Sequence, residues 1–382
     1  MHFAVDAHAI GRRLTGNEVY VRNLLSNFAL LDREASFTAF YSVADAADAI
    51  PGRFQSRLVS ANPFVRLGVD LPRWIHRDRP DLLHVQYTAP IACSIPTIVS
   101  VHDVSFLERP AYFRKSRELQ LRVTVSRSIR RAARVLTPSE FSRERVIHHY
   151  GLPDNRVVTV PMAMSPVFRP IQREIAAGRI AQSYGLTDPF ILNVGDLQPR
   201  KNHLGLIAAF ADLVRSYPQL PQHLVIVGKD TWFSEHVRQA ARISGAEDRI
   251  HFIGFVPDDD LVNFYNACDL FAFPSHYEGF GIPILEAMAC GRAVACSHSS
   301  AMAEVANATA LLFNPESRAE IVRSLRDLLI DTGLRQRLER MGIQRASLFT
   351  WQNTASKTLE VYYDVVRDRV LAPQHAARQR VS

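Results

Sequence analysis

The sequence predicts an α/β protein built from two successive doubly wound domains. Short runs of apolar and β-branched residues alternate with longer helical patterns, which is typical of βαβ units around a parallel sheet. The alternation is interrupted once by a proline-rich segment without periodicity and then begins again. A length of 382 residues agrees with two domains, because one domain usually takes about 100–200 residues.

The first alternation occupies the N-terminal part of the chain. Helices are predicted for residues 18–31 and 139–150, and Ser139 is a suitable N-cap for the second of them. Residues 161–170 hold three prolines and are interpreted as the linker between the domains. Strands are predicted at residues 2–6, 37–41, 82–86, 97–102, 135–137 and 157–160.

The second alternation follows the linker, and an apolar stripe at helical spacing then predicts a last helix over residues 351–370. Strands are predicted at residues 190–194, 223–227, 250–254, 270–274, 293–297 and 310–313, and helices at 202–215, 234–243 and 281–290. The predicted domains are residues 1–165 and 166–348, followed by a C-terminal helix, 349–372, and a flexible tail, 373–382.

The composition excludes several classes of protein. Hydrophobic residues make up 47% of the chain and charged residues 22%, as in an ordinary soluble protein. The four cysteines form no C-x-x-C pair, so we expect neither a disulfide framework nor a structural zinc site. No apolar run reaches the roughly 18–20 residues of a membrane helix, and the first residues lack the pattern of a signal peptide. A cytoplasmic location is therefore predicted.

The chain is basic, with a net charge of +7 and a pI near 9.4. This charge alone is compatible with nucleic acid, anionic lipid or phosphorylated ligands. Neither G-x-G-x-x-G nor G-x-x-x-x-G-K-[ST] occurs, which excludes the dinucleotide fingerprint and the P-loop. The acidic run at residues 258–260 could suggest a metal-binding D-x-D motif. Its place before an apolar segment favours a helix N-terminus instead.

The densest functional signal is the segment PSHYEGFGIPILEAMA, residues 274–289. A strand ends in a loop with one acid and two glycines, and a helix then begins. Glycines let backbone N–H groups approach a ligand closely, and a helix N-terminus favours an anion. Glu278 and Glu286 are eight residues apart, and carboxylates beside a phosphate site accept hydrogen bonds from hydroxyls. The pair therefore predicts contacts with sugar and ribose hydroxyls, and a pair of surface acids is the alternative.

A second signal is the segment NVGDLQPRKNH, residues 193–203. A strand again runs into a loop, and Asn202 is placed to cap the helix that follows. Arg200 and Lys201 would neutralise a diphosphate there without a metal ion, while a solvated basic turn is the alternative. Because ligands bind at the carboxyl ends of parallel strands, we expect both motifs at one cleft between two facing domains.

Two weaker signals lie in the first half of the chain. Residues 15–18, TGNE, are predicted to form a strand-to-helix loop in which Gly16 and backbone N–H groups face phosphate. His102 follows a buried strand at the rim of the same cleft, where a packed structural histidine is equally compatible with the sequence.

An arginine-rich helical region, residues 113–134, also lies in the first half of the chain. Apolar side chains are interspersed among its basic residues, so it suits an anionic membrane surface as well as a solvated face. The basic residues are Arg114, Lys115, Arg117, Arg122, Arg127, Arg130, Arg131 and Arg134.

Together the motifs resemble the retaining glycosyltransferases of family 4. The resemblance rests on E-x7-E from Glu278, on the G-x-L-x-P-R-K-N loop from Gly195 and on the Gly-Phe-Val turn at Gly254. It implies the GT-B fold, which is two facing Rossmann-like domains with a C-terminal helix returning to the N-terminal domain. It also implies transfer of a hexose from a nucleotide diphosphate sugar to a hydroxyl of a glycan or lipid-linked acceptor. That reaction would run in the cytoplasm or at the inner face of the membrane, without a metal ion and without nucleic acid.

The resemblance further implies roles for single residues. Glu278 would face the donor sugar, and Glu286 would hold the ribose hydroxyls. Arg200 and Lys201 would hold the diphosphate, and the backbone at Val256 would pair with the base. The other implied site residues are His102, which would hydrogen-bond the donor sugar, and Gly16, Gly195, Gly279, Phe280, Gly281 and Ile282 around sugar and phosphate.

One departure from the family pattern is informative. Many relatives have Gly-Arg-Leu where this chain has Gly195-Asp196-Leu197, and Arg200 is the expected replacement for the missing arginine. Members of the Pro-Arg-Lys-Asn subgroup often use GDP-mannose, so a mannosyltransferase is the first prediction. No acid stands out as a covalent nucleophile, which favours attack from the face of the leaving group. A sugar-nucleotide 2-epimerase and a non-catalytic sugar-nucleotide-binding protein are the alternatives.

Overall fold

The computed structural model describes residues 1–12 and 15–378, which form two compact units. Met1–Met162 and the residues from Thr350 onward form the N-terminal unit, and Ala163–Phe349 form the C-terminal unit. The first crossing between the units falls inside the segment that the sequence predicts as a linker. The second crossing, after Phe349, brings the last helix into the N-terminal unit.

The N-terminal unit is built on a seven-stranded parallel sheet with the order β3-β2-β1-β4-β5-β6-β7. Its edge strand β3 is absent from the sequence prediction, because its residues are mostly exposed and do not form an apolar run. The strands are β1 (His2–Asp6), β2 (Ser36–Tyr41), β3 (Gln55–Leu58), β4 (Leu82–Gln86), β5 (Thr97–Ser100), β6 (Arg134–Thr137) and β7 (Val157–Thr159).

The C-terminal unit is built on a six-stranded parallel sheet with the order β10-β9-β8-β11-β12-β13. All six strands were predicted, since each is a short run of mainly apolar residues. They are β8 (Phe190–Val194), β9 (His223–Val227), β10 (Ile250–Gly254), β11 (Leu270–Phe273), β12 (Val294–Ser297) and β13 (Leu311–Phe313). This architecture is the predicted α/β class with two Rossmann-like domains.

Helices connect the strands in both units, and none in the described part of the chain is long and apolar enough to cross a bilayer. Ser139 caps its helix as predicted, since its Oγ accepts the N–H of Ser142 at 3.1 Å. The helices are α1 (Thr15–Leu31), α2 (Pro63–Val65), α3 (Leu71–Asp78), α4 (Ser105–Glu108), α5 (Lys115–Arg131), α6 (Glu140–Tyr150), α7 (Arg173–Tyr184), α8 (His203–Ser216), α9 (Ser234–Arg242), α10 (Asp258–Ala267), α11 (Ile282–Ala289), α12 (Ala301–Ala306), α13 (Arg318–Ile330), α14 (Thr332–Ala346) and α15 (Trp351–Arg378).

Helix α15 completes the core of the N-terminal unit. The ring of Tyr362 is fully buried and meets the ring of Phe3 edge-on at 5.1 Å, and its hydroxyl lies 2.5 Å from Nδ1 of His84. The helix continues to Arg378 and so includes residues 373–378 of the segment that the sequence predicts as a tail. The rest of that predicted tail, residues 379–382, lies outside the described residues.

Each sheet has one point at which the strand order reverses, between β1 and β4 and between β8 and β11. In open parallel sheets, ligands bind beside the carboxyl ends of the strands at this reversal, because the loops on either side diverge to opposite faces. The loops after β8 and β11 are the two segments that carry the strongest sequence motifs.

Candidate functional site

The loops of the C-terminal unit approach one another closely at the carboxyl end of its sheet. Gly195 donates its N–H to the carbonyl of Val227 at 2.8 Å, and Gly228 donates to the carbonyl of Gly254 at 2.9 Å. A Cβ atom at position 228 would lie only 2.0 Å from the carbonyl oxygen of Gly195. Position 228 therefore requires glycine. The backbones of the three loops that follow β8, β9 and β10 are joined by these hydrogen bonds.

The basic pair lies on a single 3-10 turn, Pro199–Lys201, just before α8. Asn202 follows in the left-handed region, with φ at +55°, a conformation that asparagine tolerates better than most residues. Its Oδ1 accepts the N–H of Gly205 at 3.1 Å, which confirms the predicted N-cap. Its Nδ2 donates to the carbonyl of Pro315 at 2.9 Å, so Asn202 fastens the end of the turn both to α8 and to the segment at Pro315.

The two strongest motifs meet at Glu278. Arg200 Nη1 lies 2.6 Å from Glu278 Oε2, and Lys201 Nζ lies 2.7 Å from Glu278 Oε1. The sequence predicted hydroxyl partners for this carboxylate, whereas in the structure two cations bind it. A backbone hydrogen bond of 2.8 Å from the N–H of His276 to the carbonyl of Arg200 ties the two loops together.

Burial and the neighbouring charges shift the pKa values of Glu278 and Lys201. Glu278 and Lys201 are each only 8% exposed. Burial alone would raise the pKa of Glu278, but the charges of Arg200 and Lys201 outweigh it and lower that pKa to about 2. Burial, together with the neighbouring charge of Arg200, lowers the pKa of Lys201, and Glu278 opposes this effect. Glu278 is therefore the internal counter-ion of the buried Lys201 and the partly exposed Arg200.

Glu286 lies in α11, which begins after the left-handed Gly281 (φ +111°). Its Oε2 accepts a hydrogen bond of 2.7 Å from the hydroxyl of Tyr265. Burial and the nearby charge of Asp258 raise its pKa to about 7, in spite of the tyrosine hydrogen bond. The two glutamates of the E-x7-E segment thus differ: Glu278 is firmly ionised, and Glu286 titrates near neutrality.

The turn after β10 and the departure at Asp196 belong to the same edge of the sheet. Val256 is buried after Gly254, whose φ of +81° turns the chain. Asp196 Oδ1 accepts the N–H of Lys229 at 3.1 Å. The aspartate therefore fastens one loop to the next.

The remaining predicted residues of this unit follow Glu278 directly. Phe280 is buried, and its ring lies 5.8 Å from the ring of Phe349. Ile282 is the first residue of α11. Gly279 and Gly281 are buried together with Phe280, and the loop from Glu278 to Ile282 leads into the first turn of α11, where N–H groups lack intrahelical partners. The acidic run 258–260 lies in the first turn of α10, as predicted for a helix N-terminus.

Gly16 and His102 belong to the N-terminal unit. Gly16 was predicted in a loop, but α1 begins at Thr15, so Gly16 lies in the first helical turn. His102 Nε2 lies 3.1 Å from Oε1 of Gln86, whose Nε2 donates to the carbonyl of Asn17 at 3.2 Å. Burial lowers the pKa of His102 to about 4, so its imidazole is neutral at physiological pH.

Sequence reasoning missed two residues that connect the predicted ones. Gln86, at the carboxyl end of β4, links His102 to the first turn of α1. Ser300 accepts the N–H of Glu278 on its Oγ at 2.9 Å. Both residues are uncharged and belong to no motif. The only available signal is position, since each lies at or just after the carboxyl end of a strand in its sheet.

Comparison with known proteins identifies the family. Residues 15–166 match the family model "Glycosyltransferase Family 4", and residues 179–345 match "Glycosyl transferases group 1". The chain is 32% identical over 266 residues to the O-antigen chain mannosyltransferase B of Escherichia coli, covering 69% of each protein. It is 30% identical over 301 residues to the E. coli serotype-specific mannosyltransferase WbdA, covering 74% of this chain but 36% of that longer protein.

A solved structure agrees with this relationship at the level of the fold. The structure of Anabaena Alr3699/HepE in complex with UDP-glucose superposes with a TM-score of 0.75 at 19% identity, covering 95% of this chain and 100% of that one. The fold is GT-B, and the chain belongs to the group 1 glycosyltransferases of family 4.

Proposed function

We propose that this glycosyltransferase moves a hexose, with mannose as the first candidate, from a nucleoside diphosphate to a hydroxyl of a glycan or lipid-linked acceptor. The reaction retains the anomeric configuration and uses no metal ion. The observation that carries this proposal is the cluster of Arg200 with the buried Lys201 and Glu278 at the strand-order reversal of the C-terminal sheet. The relationship to O-antigen chain mannosyltransferase B favours mannose.

The ion pairs suggest how the donor enters. Arg200 and Lys201 carry two positive charges against the single carboxylate of Glu278, so the cluster has an excess of one positive charge. A diphosphate offers several oxygens to the same cations and can replace the carboxylate, because charge-assisted bonds to phosphate are strong. Glu278 is then released from the two cations and can accept hydrogen bonds from the hydroxyls of the donor sugar. Before the donor binds, the carboxylate of Glu278 thus occupies the position beside the two cations that the diphosphate takes afterwards.

The chemical step needs stabilisation of the leaving group. The bond between the anomeric carbon and the phosphate oxygen breaks, and a bond from that carbon to the acceptor oxygen forms on the same face. The acceptor proton passes to the departing phosphate oxygen. Arg200 and Lys201 stabilise the negative charge that develops on the diphosphate, and each such group contributes roughly 10²–10³ in rate.

A panel of sugar nucleotides tests the donor. The purified protein is incubated with GDP-mannose, UDP-glucose, UDP-galactose and ADP-glucose, and release of nucleoside diphosphate is measured without acceptor and with a mannose-terminated oligosaccharide. We expect the fastest release from GDP-mannose, further accelerated by the acceptor. A donor that is isomerised and not consumed would support the 2-epimerase. Absence of release from every donor would contradict a catalytic role.

Metal independence has its own test. The described residues contain no group of three or more His, Cys, Asp or Glu arranged to hold a metal ion, and the basic pair offers the charge that a metal ion would otherwise supply. We therefore expect the same rate of transfer after dialysis against EDTA as before it. A rate that falls with EDTA and returns with Mg²⁺ or Mn²⁺ would overturn this part of the proposal.

The acceptor side of the proposal includes attachment to an anionic membrane through α5. Val125 and Ile129 of this helix are buried, whereas Leu119 and Val123 are 63% and 61% exposed, one helical turn apart. Exposed apolar side chains among arginines suit the interface of an anionic bilayer, which would keep the protein near a lipid-linked acceptor.

Vesicle flotation tests this attachment. We expect binding to vesicles with phosphatidylglycerol at low salt, weaker binding at high salt because salt screens the charges, and loss of binding in Leu119→Ser/Val123→Ser. Leu348→Ser is the matched control, since Leu348 is also 63% exposed but lies in the C-terminal unit. Equal flotation of the double variant and the wild type would contradict a role for α5.

A further inference from the structure

We infer that Ser300 is a positioning residue for Glu278, and this inference rests on the proposed role of Glu278. The hydroxyl Oγ of Ser300 accepts the backbone N–H of Glu278 at 2.9 Å. The next residue, Ala301, donates its N–H to the carbonyl of Glu278 at 3.4 Å. The start of α12 therefore holds both backbone polar groups of the residue whose carboxylate joins the basic pair.

The backbone of Ser300 is unusual for its place in the chain. Ser300 is the N-cap of α12, and serine at an N-cap ordinarily has an extended backbone and accepts an N–H of its own helix. Here φ is +55° and ψ is −143°, and the side chain makes no capping hydrogen bond to α12. Non-glycine residues rarely adopt positive φ, and such strain persists where the surrounding structure enforces it.

A second serine in the same unit shows the ordinary arrangement. Ser317, the N-cap of α13, has φ at −98° and ψ at +93°, and its hydroxyl accepts the N–H of Glu320 in its own helix at 3.3 Å. The two serines occupy equivalent helix positions but use their hydroxyls differently. Ser300 leaves its helix without a side-chain cap and holds the loop of Glu278 instead.

The loop that contains Glu278 depends on contacts with other segments for a fixed conformation. Glu278 is followed by Gly279, and Gly281 lies in the left-handed region, so the backbone on this side of the carboxylate has little stiffness of its own. The carboxylate must meet Arg200 and Lys201 in the free protein and the donor sugar during turnover. A shift of about 1 Å in such a group can lower a rate by about 10²-fold. The Ser300 hydroxyl limits that shift.

The test compares Ser300→Ala and Ser300→Gly with Ser317→Ala as the matched control. Alanine removes the hydroxyl and keeps the strained backbone, whereas glycine removes the hydroxyl and relieves the strain. We expect both to lower kcat by about 10- to 100-fold. The Kd for GDP, measured by calorimetry, stays unchanged because the basic pair is intact. Ser317→Ala lowers the melting temperature and leaves kcat unchanged.

Measurements of the melting temperature distinguish a positioning role of Ser300 from a role in stability alone. Ser300→Gly is expected to melt at or above the wild-type temperature and yet to be as slow as Ser300→Ala, with faster hydrogen exchange at the Glu278 amide in both. The inference is wrong if Ser300→Gly has the kcat of the wild type. It is also wrong if the Glu278 amide exchanges at the wild-type rate in Ser300→Ala and Ser300→Gly. Glu278→Ala is measured in parallel. Full activity of Glu278→Ala refutes the proposed function itself, whereas an inactive Glu278→Ala beside active Ser300 variants refutes only the role of Ser300.

Discussion

The two units have the same type of sheet but different chemistry at its carboxyl end. In the N-terminal unit a series of neutral polar groups is hydrogen-bonded there, beside the Asp6 carboxylate at the end of β1, which is paired with Arg66 at 3.5 Å. The Tyr20 hydroxyl lies 2.8 Å from Ser100 Oγ, which lies 2.7 Å from Nε2 of His84. The Tyr20 ring meets the His102 ring edge-on at 4.7 Å. Burial lowers the pKa of His84 to about 3 and that of His102 to about 4, so both rings are uncharged.

In the C-terminal unit the corresponding edge is charged. Arg200 and Lys201 each lie within hydrogen-bond distance of the ionised carboxylate of Glu278. Under the proposed function, the difference assigns a different part of the substrates to each unit. A fixed positive excess suits the phosphates of a donor, while a neutral network suits hydroxyl groups without attracting an anion. The fold sets the place of a site, and the side chains decide its ligand.

The largest effect is expected for Lys201→Ala, which removes one cation from the charged edge. Turnover should fall by roughly 10²–10³ because the diphosphate loses an electrostatic partner as the bond breaks. Steady-state kinetics with the identified donor measures this fall, and Lys357→Ala is the control because Lys357 is an exposed lysine in the N-terminal unit. Equal turnover in the two variants would remove the basic pair from the mechanism.

Glu278→Gln separates two proposed roles of the carboxylate, which are competition with the diphosphate for the two cations and contact with the donor sugar. The substitution keeps the shape and removes the charge that competes with a diphosphate for Arg200 and Lys201. We expect GDP to bind as tightly as in the wild type or more tightly, while turnover falls by about 10²-fold. Calorimetry with GDP and a kinetic assay measure the two quantities. Weaker GDP binding would show that the carboxylate does not compete with phosphate.

Acid should affect the two units unequally. The folded-state pKa values of His84 and His102 lie below the usual 6.5, so the unfolded chain binds more protons at moderately acidic pH. Their contribution to stability is complete above pH 6.5 and is lost as the pH falls toward 4.

In the C-terminal unit the effects of pH partly cancel. Burial lowers the pKa of His203 to about 3, which acts in the same direction as in the N-terminal unit. The pKa of Glu286 is raised to about 7, so its contribution is present at low pH and lost as the pH rises from 4.5 to 7. On acidification from pH 7 to pH 5, limited proteolysis should therefore cut the N-terminal unit first. Earlier cleavage within Ala163–Phe349 would contradict this expectation.

The smallest effect on activity is expected for Gly16→Ala in the N-terminal unit. A Cβ atom at Gly16 would meet no atom within 4 Å, so Gly16→Ala should raise the stability of α1 by up to about 1 kcal/mol. If Gly16 lies beside phosphate, as the family resemblance implies, the added methyl group should still lower kcat/KM by about tenfold. Thermal melting and kinetics measure both. Gly228→Ala is the contrasting variant, since its Cβ would clash with Gly195 and destabilise the C-terminal unit. Wild-type kcat/KM in Gly16→Ala would argue against a ligand at this position.

Much of the fold could be predicted from the sequence because most strands are buried on both faces and appear as apolar runs. Strand β3 escaped because Gln55, Ser56 and Arg57 give a polar edge strand no such pattern. The first turn of α1 escaped because Gly16 suggests a loop, although the helix includes it.

The site was predicted as separate motifs, but their direct pairing was not. Arg200 and Glu278 are 78 positions apart, and only the strand order places their loops side by side. Gln86 and Ser300 act through single hydrogen bonds, which leave no charge or spacing signal in one sequence. Motifs therefore indicated the chemistry, while the contacts between them depended on topology.

The path of the chain has a consequence for how such enzymes can diversify. The C-terminal unit is one uninterrupted stretch, Ala163–Phe349, whereas the N-terminal unit is assembled from both ends of the polypeptide and has Tyr362 packed on Phe3. A gene cut once at Met162 would leave the first half without part of its interior. Exchange of the internal stretch through two crossovers would spare that interior, so recombination could replace the C-terminal unit as a cassette, together with the donor site proposed for it.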